Sequence, residues 1–172
     1  MSVPAGRHAA ENLVVLSGFY NPNLALTYYM RGMVKVSQKD NAGAMLDFSK
    51  AIELDPKDAN SYYIRGVVKT YLSDFTGAIK DCSKAIDLNP EFAEAYAGRG
   101  SAKNEQHNYI EAITDCDKAI ELNSKLGNAY YYRALAKYSL GDTTGTLDDL
   151  STAGELGYAD AYEKIKEVQN KE

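Results

Sequence analysis

Four copies of one pattern, spaced 34 residues apart, constrain this chain more than any other feature. YYMRGMVK at 28–35 returns as YYIRGVVK at 62–69, YAGRGSAK at 96–103 and YYYRALAK at 130–137. A fixed period of about 20–50 residues marks one supersecondary unit stacked on copies of itself. Let Ala25, Ala59, Ala93 and Gly127 be position 1 of each unit. Position 4 is then Tyr28, Tyr62, Tyr96 and Tyr130, and position 8 is Gly32, Gly66, Gly100 and Ala134. Position 20 is Ala44, Ala78, Ala112 and Thr146; position 27 is Ala51, Ala85, Ala119 and Ala153. Position 30 is always Leu, and position 32 is Pro56, Pro90, Ser124 and Tyr158.

Each unit reads as a pair of helices. Positions 4, 7, 8 and 11 share one helical face, which defines helix A. Positions 20, 24, 27, 28 and 30 form a second apolar stripe, helix B. Small residues at positions 8 and 20 let the two approach closely. Ser73-Asp74 and Gly141-Asp142 carry turn and N-cap chemistry between them, and Pro at position 32 stops helix B. One such hairpin cannot bury both its faces, so it stacks on its neighbours.

The period, the aromatic-x-x-x-Gly, the two Ala columns and the Pro together resemble the tetratricopeptide repeat. The resemblance implies an all-α, right-handed superhelical solenoid of helix-turn-helix hairpins. The units are 25–58, 59–92, 93–126 and 127–160, with an N-terminal extension at 1–24 and a C-terminal capping helix at 161–172. The end units depart from the pattern, as end units do. Gln38 and Asn41 stand where repeat 2 has Leu72 and Phe75; repeat 4 carries Thr143, Thr146 and Gly154 at core sites. In the extension, residues 9–20 (AAENLVVLSGFY) are apolar enough to pack, either as a cap on repeat 1 or in a groove.

Three columns carry charge without exception. Position 7 is Arg31, Arg65, Arg99 and Arg133; position 11 is Lys35, Lys69, Lys103 and Lys137; position 23 is Asp47, Asp81, Asp115 and Asp149. With position 4 at zero and about 100° per residue, positions 11 and 7 lie near −20° and −60°, beside the packing face. Their stems can cover apolar surface while the heads reach out. These columns are expected to form a structural ion-pair ladder, with Arg as the better partner because its fork bonds a carboxylate twice. For Asp81 the candidates are Arg65 and Lys69 in its own unit, or Arg99 and Lys103 in the next.

The family resemblance places a partner-binding concave groove on the opposite side of helix A, at positions 2, 5, 9 and 12. Those positions lie at about 160°, 100°, 140° and 80° on the same wheel. The candidates are Leu26, Tyr29 and Met33, then Asn60, Tyr63, Val67 and Thr70. Glu94, Ser101 and Asn104 follow in repeat 3, and Asn128, Tyr131, Leu135 and Tyr138 in repeat 4. The groove is rich in Tyr and holds no Lys or Arg. It suits a protein or peptide segment with an apolar or aromatic stretch, and one basic residue over Glu94 in repeat 3. One branch of the family clamps the acidic C-terminal tails of cytosolic heat-shock chaperones, using Lys, Asn and Arg at fixed positions. Here those positions hold Tyr29, Met33, Ile64, Glu94 and Gly98; in a frame starting one unit later they hold Tyr63, Val67, Gly98, Asn128 and Tyr132. A chaperone tail is therefore not the expected partner. Self-association, with another chain or the N-terminal segment filling the groove, is the alternative.

Composition narrows the rest. A net charge of −5 speaks against a nucleic-acid face. No apolar run approaches a membrane span, and none makes a signal-peptide core, so the expected location is cytoplasmic. Cys82 and Cys116 occupy the same site in consecutive units and read as buried small hydrophobes. His8 and His107, no Gly-rich phosphate loop and no metal-ligand spacing leave no basis for catalysis, so neither enzyme activity nor a cofactor or metal is expected.

Overall fold

The computed structural model describes residues 25–170, all helix and turn. The expectations for residues 1–24 lie outside the described residues. The helices alternate A and B: α1 Ala25–Ser37, α2 Asn41–Leu54, α3 Ala59–Tyr71, α4 Phe75–Leu88, α5 Ala93–Glu105, α6 Tyr109–Leu122, α7 Gly127–Ser139, α8 Thr143–Glu155, and a last helix, α9 Asp160–Gln169. Each A packs on its own B, and each B on the next A. The chain is thus a right-handed superhelical solenoid of helical hairpins.

Local chemistry sets the boundaries. Asp40, Asp74 and Asp142 accept hydrogen bonds from the backbone N–H of Gly43, Gly77 and Gly145, which starts helix B in repeats 1, 2 and 4. The residue before each of these caps has a positive φ: 61° at Lys39, 60° at Ser73 and 84° at Gly141. His107 takes the same turn in repeat 3, at 63°. Only Gly141 is free of the Cβ clash that this conformation brings.

Close approach of A to B depends on position 8. A Cβ on Gly66 would lie 2.9 Å from Cys82 Sγ, and one on Gly100 would lie 2.8 Å from Cys116 Sγ. Both thiols are buried, and burial pushes Cys82 up to about 12 and Cys116 above its ordinary value too. Thr146 at the usual Ala site is accommodated because its hydroxyl donates to the Asp142 carbonyl at 2.6 Å.

The ionic columns fill the A–B seam. Asp81 receives Arg65 Nε and Nη2, each at 2.8 Å, and Lys69 Nζ at 2.8 Å. Asp115 holds Arg99 and Lys103, Asp149 holds Arg133 and Lys137, and Asp47 holds Arg31 and Lys35 in the same way. The pairing is within each hairpin, not with the next. Each Arg also lies over the position-4 Tyr of its own helix, at 5.0–5.7 Å from the ring centre. Its remaining nitrogen reaches back one hairpin: Arg65 donates to Ser49, Arg99 to Ser83 and Arg133 to Asp117. The arginines therefore join neighbouring units as well as the two helices of one unit.

The register slips by two residues at the end of repeat 4. Tyr158 falls at position 32 by count, yet it packs on Tyr131 at 4.7 Å, as Phe92 from position 34 packs on Tyr63 at 5.1 Å. In α9, Ala161 and Val168 then stand where Ala129 and Ala136 stand in α7, and are buried with Leu150 and Ala153. Tyr162 lies over Gly154, where a Cβ would come within 2.8 Å of its ring. That contact accounts for Gly at a site that is Ile in the other three repeats.

Candidate functional site

The A helices line one side of the solenoid, and two cavities open there. The larger, of about 320 Å³, is bounded by Tyr63, Val67, Thr70 and Tyr71 of α3, Gly98 and Ser101 of α5, Asn128 and Tyr132 of α7, and Tyr158. The smaller, of about 240 Å³, lies by Ala25, Leu26, Tyr29, Asp55, Asp58 and Asn60.

Gly98 deepens the larger cavity. A Cβ there would sit 3.1 Å from the Tyr63 ring, so a side chain would fill the floor. Tyr63 is held from behind by Phe92, edge to face. Tyr132 stands edge to face with Tyr158, ring centres 6.5 Å apart. Burial raises the pKa of Tyr63, Tyr132 and Tyr158 above the ordinary phenol range. These phenols are neutral at physiological pH, and among the described residues no acid, Lys or Arg lines the cavity. Asn128 Oδ1 is buried at its edge without a hydrogen-bond partner among the described residues. The cavity therefore offers flat aromatic surface and two small hydroxyls, Thr70 and Ser101. It can take an apolar or aromatic side chain, with the hydroxyls beside it as polar contacts.

The smaller cavity is acidic. Asp55 and Asp58 border it, beside Leu26 and Tyr29. Asp58 Oδ1 and Oδ2 already accept from the N–H of Asn60 and Ser61, which anchors the carboxylate at the start of α3.

The groove candidates divide into three groups. Tyr63, Val67, Thr70, Ser101 and Asn128 line the larger cavity, and Leu26, Tyr29 and Asn60 the smaller. Met33 is exposed on α1, while Glu94 and Leu135 are half-buried; none of these three borders either cavity. Asn104 turns away: it is buried, and its Nδ2 donates to the Tyr132 carbonyl at 2.7 Å, tying α5 to α7. Tyr138 lies beneath Lys164 of the last helix, 5.3 Å from the ring centre, and Tyr131 packs against Tyr158 and the cluster around Val168. The acids that border a cavity are Asp55 and Asp58, not Glu94.

Tyr71, Gly98 and Tyr132 were missed because the wheel was cut too narrowly. Positions 6 and 13 lie at about 200° and 180°, next to position 2, and belong to the same face. Tyr158 was hidden by the two-residue slip.

Comparison with known proteins gives one family and a consistent set of folds. Residues 25–58, 59–92 and 93–126 each match the model of the tetratricopeptide repeat. Among solved structures, MamA superposes with a TM-score of 0.74 at 21% identity, over 94% of this chain and 98% of that one. YrrB, described as a tetratricopeptide repeat protein with an unusual peptide-binding site, gives 0.72 at 20%, over 94% and 84%. The first tetratricopeptide domain of Spaghetti (RPAP3), bound to the HSP90 peptide SRMEEVD, gives 0.66 at 25%, over 68% and 93%. No curated protein matches the sequence.

Proposed function

Since the chain belongs to the tetratricopeptide repeat family, we propose that it is a non-catalytic interaction scaffold that holds an extended segment of a protein partner along its A helices. The observation that carries this reading is the larger cavity, an aromatic trough with a missing side chain in its floor. An apolar or aromatic side chain of the segment enters over Gly98. A Lys or Arg further along meets Asp55 and Asp58. The two cavities share α3, with Asn60 in one and Tyr63 in the other, so one segment can span both.

An acidic ligand is disfavoured. The RPAP3 domain holds SRMEEVD, a peptide with three carboxylate side chains. Here the positions that would need Lys or Arg are Tyr29, Glu94 and Gly98, those that would need Asn are Met33 and Ile64, and the second cavity is itself acidic. Bringing three carboxylates beside Asp55 and Asp58 costs affinity through like-charge repulsion.

Selection of a displayed random seven-residue peptide library on the intact chain tests this. Enriched peptides should carry an aromatic or large aliphatic residue and a Lys or Arg, and bind at least tenfold more weakly to Val67→Lys. Ile110→Lys, on an exposed site away from both cavities, should leave binding unchanged. Enrichment of acidic peptides, or equal binding to Val67→Lys, would overturn the proposal.

A further inference from the structure

Counted backwards from Ala25, the 34-residue frame continues into the N-terminal extension. Pro22 falls at position 32 with Pro56 and Pro90, and Asn21 falls with Asn89 and Asn123. Ala10 falls at position 20 with Ala44, and Val14 at position 24 with Phe48 and Leu150. Ser17 keeps position 27 small, and Gly18 matches Gly154 at position 28. Other columns break: position 21 is Glu11 instead of Met, Ile or Leu, position 28 is Gly18 where three repeats have Ile, and position 30 is Tyr20 instead of Leu. Two further changes replace polar residues by apolar ones. Position 23 is Leu13 instead of Asp, and position 26 is Leu16 instead of the Lys or Thr of the full repeats. In each full repeat that Asp is met by an Arg and a Lys from its own helix A. The preceding stretch MSVPAG has neither the Tyr-x-x-Arg pattern nor a Lys.

The described residues supply the other half of the observation. The side of α3, α5 and α7 that faces the preceding hairpin is buried at position 10, by Val68, Ala102 and Ala136, and at position 3, by Ser61, Ala95 and Ala129. On α1 the same positions are Val34 and Thr27, both half-exposed, with Met30 beside them 53% exposed. The Arg31 side chain is 40% exposed, against 18%, 21% and 18% for Arg65, Arg99 and Arg133. Residues 55–58, 89–92 and 123–126 connect each helix B to the next helix A, and residues 21–24 hold the same positions of the frame ahead of α1.

We propose that residues 7–20 of this chain dock on that side of α1 as a helix B, in the place a preceding helix B takes on α3, α5 and α7. The contact is intramolecular and covers Thr27, Met30 and Val34 with Val14, Ser17 and Gly18. It leaves the cavity-lining side of α1, with Leu26 and Tyr29, open to a partner.

Disulfide trapping in the full chain tests the register. Ile86 and Ala95, at position 28 and the following position 3, belong to one packed cluster. The equivalent pair is Gly18→Cys with Thr27→Cys. Mild oxidation should cross-link most of the monomer within one chain, while the control pair Gly18→Cys with Val67→Cys in the groove stays reduced. A trapped groove pair, a dimer as the main product, or no cross-link in either pair would each overturn the proposal. Hydrogen exchange gives an independent reading. Deleting residues 1–22 should speed exchange across 25–37 at least tenfold and leave 93–169 unchanged; unchanged rates in 25–37 would also overturn it.

Discussion

At the C-terminal end of the array, Ala161 and Val168 of α9 fill the sites that Ala129 and Ala136 fill in α7. The outward side of α9 then carries Lys166 at the place of the position-8 Gly, paired with Glu163, with side chains 66% and 79% exposed. A Lys there keeps any further helix B from approaching as closely as the full repeats require. At the N-terminal end, α1 keeps Gly32 and the full ionic seam on its inner side, but shows Met30, Thr27 and Val34 on its outer side. One end is finished with charge and the other is left apolar. Termination of a solenoid is thus a matter of a few side chains on one helical face, not of the hairpin itself.

The largest expected effect probes the closed end. Val168→Asp puts an unpaired charge into the cluster around Leu150 and should cost about 3–5 kcal/mol in urea unfolding. Val34→Asp, at the matching site of the open end, should cost less than half as much, and almost nothing once residues 1–22 are removed. Equal losses at both ends would erase the contrast. Next come the ladder aspartates. Asp81→Ala should cost about 1–3 kcal/mol by stranding Arg65 and Lys69. Asp47→Ala should cost about 1 kcal/mol or less, because Arg31 is already half in water; urea midpoints decide between them.

The acid limb refines the same pair. Burial raises the Asp47 pKa, but hydrogen bonds from Arg31 and Lys35 more than reverse this, and the net value is depressed. Its contribution is therefore present above the unfolded value, about 3.9, and lost as pH falls through the lower folded value. The gap in urea midpoint between the parent and Asp47→Asn should be full near neutrality and close in acid. A gap of undiminished size at about pH 2.5 would remove the ionic explanation. The smallest effect is kinetic. Without residues 1–22, Thr27→Cys should react with a thiol reagent at least ten times faster than Ser61→Cys at the same repeat position, and restoring the segment should narrow that difference. Cys82 and Cys116 stay silent because both are buried.

Much of this was legible in the sequence, because a repeat shows its own register four times over. The hairpins and their order follow from the Tyr, Gly and Ala columns. The three ionic columns were visible too, but only coordinates show that each Asp bonds within its own hairpin, since both choices satisfy charge. The groove was harder. A wheel fixes which residues share a side, not how wide the exposed sector is, so Tyr71 and Tyr132 fell outside it. Asn104 shared the sector by angle, yet the neighbouring helix claims its amide. Tyr158 escaped notice because a two-residue slip leaves no mark when the Pro that would reveal it is already gone.

The backward reach of the arginines has one more consequence. Arg65 and Arg99 meet neutral serines, whereas Arg133 meets the carboxylate of Asp117. Of these three junctions only the last holds an ion pair, and with Asp117 half in water that pair weakens as salt rises while the serine bonds do not.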